Sequence, residues 1–306
     1  MIWLILTIIA AIAAALCTFY DNYITDVFFK GKLSQSQKMF YGPAYLVTAV
    51  IMLLVLPIEP IPVLIALGLI GAGAIVSISS ITYYLALEKD DTTNVTIFQQ
   101  FSPIFYLIFG RFILGEQITG GQLLAFLVVL SAPLLIIFTS RGRGKGSKIR
   151  TAGLVLSNVA IAALGHTLAT KFGQSINPLT MVLYVMIGKG LSDITIMMIK
   201  KKWRARFNYV KKRNNNFSFW SSLTMDHVLC VAHDFCYYSA LLMAPTIAVV
   251  PTIIKAATPI LVFFFGIILS IIWPAFGREK VNKKSVTVRL IATTLATIGV
   301  VLMQVL

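Results

Sequence analysis

The chain reads as an all-α integral membrane protein, with ten transmembrane helices arranged as two five-helix inverted repeats. Three observations carry that expectation. Of 306 residues, 58% are hydrophobic and only 12% are charged, giving a mean hydropathy of +0.87. A soluble domain could not cover itself with so little polar surface. The apolar residues gather in runs long enough to span a bilayer, and one hairpin motif occurs twice, about half a chain apart. Self-similarity at that separation marks an internal repeat, and in a membrane protein it points to a carrier built from two related halves.

A helix needs about 20 apolar residues to cross ~30 Å of hydrocarbon. Ten such runs can be drawn: 2–24, 39–57, 62–87, 92–114, 119–139, 151–172, 178–199, 218–243, 246–272 and 286–306. They lack the ten-residue alternation of barrel strands, so helices are the spanning element that satisfies the backbone in lipid. The first run has no basic start and no small-residue cleavage site, and so reads as a spanning helix rather than a signal peptide.

The formal net charge is +15, yet the basic residues sit between the apolar runs. Membrane orientation accounts for them, and no nucleic-acid partner is expected. Sorting the loops by side gathers Lys30, Lys32, Lys38, Lys89, the RGRGKGSKIR linker, the basic loop 200–213 and Arg278 to Lys284 on one face. The other face holds little beyond Arg111 and Lys171. The positive-inside rule makes the rich face cytoplasmic and places both termini outside, in a bacterial-type plasma membrane. Trp203, Trp220 and Trp273 fall at the same boundary. The linker separates residues 1–140 from 151–306. Five helices per half is odd, so the second half enters in the opposite sense.

The repeated hairpin is YYLALEKDDTTNVTIFQQFSPIFYLIFGRFILGE at 83–116 and YYSALLMAPTIAVVPTIIKAATPILVFFFG at 237–266. Each opens on a Tyr-Tyr pair, turns at a short link, and enters a helix with a Ser/Thr-Pro step followed by glycine. On these residues, with Gly115-Glu116 closing the first copy, the chain resembles the drug/metabolite transporter superfamily, and within it the ten-helix EamA-like family. The second copy departs from the family pattern, with SIIWPAFGREKVN in place of a plain Gly-Glu ending. The resemblance implies a secondary transporter whose central cavity is lined by the first, third, fourth, sixth, eighth and ninth runs. It also implies termini in the cytoplasm, opposite to the loop charges.

Ionisable side chains within spanning helices are costly, so each is a functional candidate. Asp234 and Lys255 lie about ten positions on either side of the Ala244-Pro245 turn, or ~15 Å at 1.5 Å per residue, and so at matched depth near mid-bilayer. The repeat places Ser80 opposite Asp234 and Gln99 opposite Lys255. The expected substrate site is Asp234, Lys255, Gln99, Gln100 and Ser80, with Tyr20, Tyr83, Tyr84, Tyr237 and Tyr238 as aromatic lining. Such a set suits a small metabolite carrying both charges, such as an amino acid. A structural ion pair between Asp234 and Lys255 would use the same residues.

In the eighth run, Asp226, Cys230, His233 and Tyr237 share one face at helical spacing, and His227, Asp234 and Tyr238 an adjacent one. Asp234 and then His233 are the candidates for proton coupling, since a titratable group must be reached from each side in turn. Lys189 and Asp193 are four apart and could pair within one helix. Gly188 and Gly190 beside them permit close helix approach, as in a packing or dimer surface. His166 reads as a packing residue. Pro103 and Pro259 interrupt the backbone ladder at matched positions and are the expected hinges. Cys17, Cys230 and Cys236 show neither CxxC spacing nor a partner histidine, so no metal site, disulfide or other cofactor is expected.

An enzyme is not indicated: Tyr20-Asp21 has no accompanying Gly-x-Gly-Asp, HExxH is absent, and no GxxxxGK[ST] loop provides for ATP. The alternative is a flippase for lipids or lipid-linked sugars, or a membrane interaction protein whose basic loops hold anionic headgroups. The substrate, its direction, and proton coupling against exchange stay open in the sequence, as does a monomer against a homodimer.

Overall fold

The computed structural model describes residues 2–89, 101–117 and 145–247, with isolated positions between and beyond them. The described residues are helical and turn in character, with no strand. Among the described residues, five helices are long and apolar enough to cross a membrane: Ile2–Phe28, Ser34–Val55, Val63–Leu87, Arg150–Gly173 and Pro178–Ile199. The chain is an all-helical membrane protein. The runs at 119–139, 246–272 and 286–306 lie mostly outside the described residues, as do residues 141–144 of the linker, while its residues 145–150 are helical.

Helix α1 (Ile2–Tyr23) continues through a wide turn, Ile24–Phe28, into a reversal where Lys30, Gly31 and Leu33 all adopt positive φ. Glu88, just past the end of α3 (Val63–Leu87), holds that reversal by accepting from the Ser34 N–H at 2.5 Å and the Ser34 hydroxyl at 2.8 Å. A short 3₁₀ turn, Ser34–Gln37, then leads into α2 (Lys38–Val55). Helix α4 (Ser102–Phe109) takes Pro103 into its first turn, where a missing N–H costs nothing, and runs on through Gly110–Leu114. Pro103, one of the two expected hinges, therefore stands at a helix start, after the helical residues Phe98 and Gln99. The second hinge candidate, Pro259, lies outside the described residues.

Helix α5 (Lys145–Gly173), α6 (Pro178–Ile199) and α8 (Phe217–Met243) complete the bundle. The side chains of Asn177 and Asn216 accept from Leu179 N and Phe219 N, capping α6 and α8. The basic stretch 200–213 is not a loop. It forms α7 (Lys201–Arg213), an amphipathic helix that buries Phe207 and Val210 and leaves Lys201, Lys202, Lys211, Lys212 and Arg213 exposed. Arg206 ties it to the reversal, donating to the carbonyls of Phe29 at 2.5 Å and Lys32 at 3.2 Å.

Packing is set by small residues. A Cβ placed on Gly73 of α3 would overlap the Val185 carbonyl of α6, and one on Gly188 would overlap the Ile70 carbonyl. The two helices therefore interlock backbone to backbone at two points. Gly190 meets Gly42 and Leu46 of α2 in the same way. The glycines flanking Lys189 are thus a packing surface within the chain, against α2 and α3. Helix α3 also runs along α5, with Gly165 seated against Ala72 and Val76. Helix α1 packs along α8. Val47, Val50, Ile51 and Leu54 of α2 and Leu64 and Leu67 of α3 are exposed, as lipid-facing surface requires.

Candidate functional site

A band of polar side chains crosses the interior, built chiefly on α8. Its residues are buried or partly buried, and the helical period sends them in two directions. Asp226, Cys230, His233 and Tyr237 meet α1, α2 and α4: Cys230 Sγ lies 3.5 Å from Cys17 Sγ, His233 Nδ1 is 2.9 Å from the Ala10 carbonyl, and Tyr237 donates to the Tyr106 hydroxyl at 2.7 Å. The hydroxyl of Tyr41 donates to Asp226 Oδ2. The other stripe meets α2, α5 and α6. His227 Nε2 is 3.0 Å from Thr48 Oγ1, Asp234 binds Lys189, and the Tyr238 hydroxyl lies 2.8 Å from His166 Nδ1.

Two ion pairs sit at the centre. Lys189 Nζ stands 2.5 Å from Asp234 Oδ2, and Lys38 Nζ stands 2.5 Å from Asp193 Oδ1. Exposure is 8% or less for every side chain involved. Both pairs join different helices: α6 to α8 in the first, α2 to α6 in the second. The expectation that Lys189 pairs with Asp193 along α6 is therefore corrected. Both residues face inward, and each finds a partner across an interface that brings the charge centres closer. Lys38 is likewise no loop cation. Its ammonium reaches the Ser77 carbonyl at 2.9 Å and hydroxyl at 3.0 Å, while that hydroxyl also contacts Asp193. The Lys189 ammonium lies 5.5 Å from the Tyr45 ring centroid, and the His227 ring is 4.8 Å from the same ring. His227, Tyr45, Lys189 and Asp234 thus form one continuous line.

Asp21 of α1 makes a second focus. It accepts from Tyr84 at 3.1 Å and Tyr83 at 3.3 Å, so three expected site residues (Tyr20, Tyr83 and Tyr84) gather at one carboxylate or beside it. Ser80 turns back to its own helix, donating to the Ser77 carbonyl at 2.7 Å. Gln99 is partly buried and has contacts of its own. Gln100 and Lys255 lie outside the described residues; among those described, Asp234 pairs with Lys189. Asp193, Lys38, Ser77, Tyr41 and Tyr45 were missed as site residues. Asp193 carried a signal, since an aspartate within an apolar run is costly wherever it lies in the chain; Lys38, Ser77, Tyr41 and Tyr45 carried none.

The Gly115-Glu116 step has a clear local cause. Gly115 takes φ +74°, and Glu116 folds back so that its Oε1 accepts from Ile247 N at 2.8 Å. Gly110 leaves room for this, since a Cβ there would stand 2.5 Å from Glu116 Oε2 and 3.0 Å from the Ile247 side chain. Partial burial pushes the Glu116 carboxyl above its ordinary range, against the opposing pull of the Ile247 N–H.

No family model matches this chain, and no curated protein does. Solved structures do match. One crystal structure of a protein superposes with a TM-score of 0.59 at 12% sequence identity, covering 95% of this chain and 95% of that one. At that identity the likeness speaks for the fold alone.

Proposed function

We propose that this protein is a secondary transporter of a small polar or amphipathic metabolite, with an amino acid or related zwitterion favoured. The observation that carries this reading is the Lys189–Asp234 pair, two opposite charges enclosed among helices in a membrane protein. Such charges mark substrate and ion pathways more often than stability, because a buried pair barely repays its own desolvation. A zwitterion offers the same two charges. Its carboxylate would take Lys189 and its ammonium Asp234, so that binding opens the α6–α8 contact and the empty carrier re-forms it. Tyr45 beside the lysine, and Tyr237 and Tyr238 beside the aspartate, would provide aromatic walls. Asp234, with His233 one residue before it, is the candidate for proton coupling.

The architecture we propose is the ten-helix inverted repeat of the EamA-like transporters. The two halves would rock about this band by alternating access. The matched Tyr-Tyr pairs support it: Tyr83 and Tyr84 serve Asp21, while Tyr237 and Tyr238 serve Tyr106 and His166.

The test is counterflow of radiolabelled amino acids in proteoliposomes, with nucleosides and quaternary amines as the other arms. Uptake should appear with at least one zwitterion and be lost in both Lys189→Met and Asp234→Asn. Counterflow that survives both neutralisations would leave the pair structural. Movement of labelled lipid without solute counterflow would support a flippase instead.

A further inference from the structure

We propose that Cys17, Asp226 and Cys230 form a binding site for a thiophilic divalent metal ion of the zinc and cadmium class, joining α1 to α8. One ligand atom from each residue lies within 4.8 Å of the others, and Cys17 and Asp226 are buried. Each helix carries a cysteine and an aspartate four residues apart, Cys17 with Asp21 and Asp226 with Cys230, so both groups of each helix point the same way.

Two features distinguish this cluster from a chance meeting of side chains. The first is Asp226 Oδ1, which has no hydrogen-bond partner among the described residues although the residue is only 1% exposed. A buried carboxylate oxygen left bare is expensive, and a cation is the natural completion. The other oxygen is already held by Tyr41, which orients the carboxylate as outer partners of metal ligands do. The second feature is the sulfur spacing. Two thiolates bound to one zinc-sized ion at about 2.3 Å in tetrahedral geometry stand about 3.8 Å apart, close to the 3.5 Å between Cys17 and Cys230. Binding would release one proton from each thiol and leave two thiolates and a carboxylate on the ion, with the fourth position open to water or a substrate group. The site is separate from the Lys189–Asp234 pair, and its test needs no transported substrate.

The experiment is titration of the purified, phosphine-reduced full-length protein with Cd²⁺, followed by the ultraviolet sulfur-to-cadmium charge-transfer band, with Zn²⁺ as competitor. The band should saturate near one equivalent and be abolished by Cys17→Ser and by Cys230→Ser. It should weaken at least about tenfold in affinity in Asp226→Asn and about 10–100-fold in Tyr41→Phe. Cys236→Ser should bind as the wild type does. Absence of a band in the wild type at one equivalent overturns the proposal. So does a band that survives either cysteine change, or one lost only with Cys236. Should the cysteine variants fail to fold, maleimide labelling of the wild type decides. Cd²⁺ should protect Cys17 and Cys230 together, and equal labelling with and without the ion overturns the site.

Discussion

Removing either partner of the Lys189–Asp234 pair should cost far more than removing both. At 2.5 Å and an effective dielectric of about 20, the attraction between the two charges is about 6–7 kcal/mol. Most of this is offset by stripping water from two ions that are 8% and 6% exposed. Lys189→Met therefore strands an aspartate in the interior, and Asp234→Leu strands a lysine. Each should destabilise the protein by about 3–5 kcal/mol. In the double variant no charge is left to strand, and two apolar chains of similar volume replace the pair. Its cost should fall to roughly 0–2 kcal/mol. The assay is a double-mutant cycle on unfolding in mixed micelles, run beside transport in proteoliposomes. A stable but transport-dead double variant would separate the structural from the functional demand. Single variants costing below about 1 kcal/mol, or a double variant costing the sum of the singles, would refute the reasoning, because either result means the charges do not interact in the folded protein.

Other outcomes follow from the same packing. Gly73→Ala and Gly188→Ala place a methyl against the opposing backbone and should each destabilise by about 1–3 kcal/mol or more. Gly71→Ala, with open space around it, should be neutral or stabilising by up to about 1 kcal/mol; thermal unfolding of the three variants checks the order. Tyr237→Phe removes a buried hydrogen bond to Tyr106 and should cost about 1–2 kcal/mol by the same measurement. The Glu116 carboxyl is raised in the folded state, so its contribution is present at low pH and is lost as pH rises through the folded value. Glu116→Gln keeps an acceptor for Ile247 N, and its stability relative to wild type should improve from acid to neutral pH; a flat difference would count against a burial effect. Arg206→Ala releases α7 from the reversal at residues 29–32 and should speed tryptic cleavage within 201–213.

Much of this was legible because a membrane leaves the sequence few choices. Apolar runs at 2–24, 39–57, 62–87, 151–172 and 178–199 became spans because nothing but a helix satisfies the backbone there. The two stripes of the eighth run were equally legible. Helical period alone separates Cys230 and His233 from His227 and Asp234, and the structure sends the first pair to α1 and the second to α2 and α6. Partners were harder to read. Asp193 lies four residues from Lys189, and local spacing favoured a pair between them. Which neighbour a charge takes depends on where the backbones come closest, and Gly73 and Gly188 decide that by interlocking α3 with α6. Lys38 was hidden for a related reason. It follows a polar stretch, Ser34 to Gln37, that looks like loop but is buried by the reversal held at Glu88.

The two polar foci answer to different chemistry, and this argues against a purely structural reading of the band. Lys189 and Asp234 neutralise each other, so the line they form with Tyr45 and His227 has no net demand for a partner. Among the described residues, Asp21 and Asp226 hydrogen-bond to tyrosines and to no cation, with Cys17 and Cys230 beside them. Two carboxyl groups and two thiols kept together in a membrane interior are costly, and a cation would offset that cost. If bundle packing were the whole purpose, apolar residues at 21 and 226 would serve it at lower cost. The proposed cation binding on one focus and the proposed zwitterion exchange on the other are therefore separable, and Asp226→Asn should weaken metal protection of Cys17 by at least about tenfold in metal concentration while leaving the Lys189–Asp234 coupling energy intact.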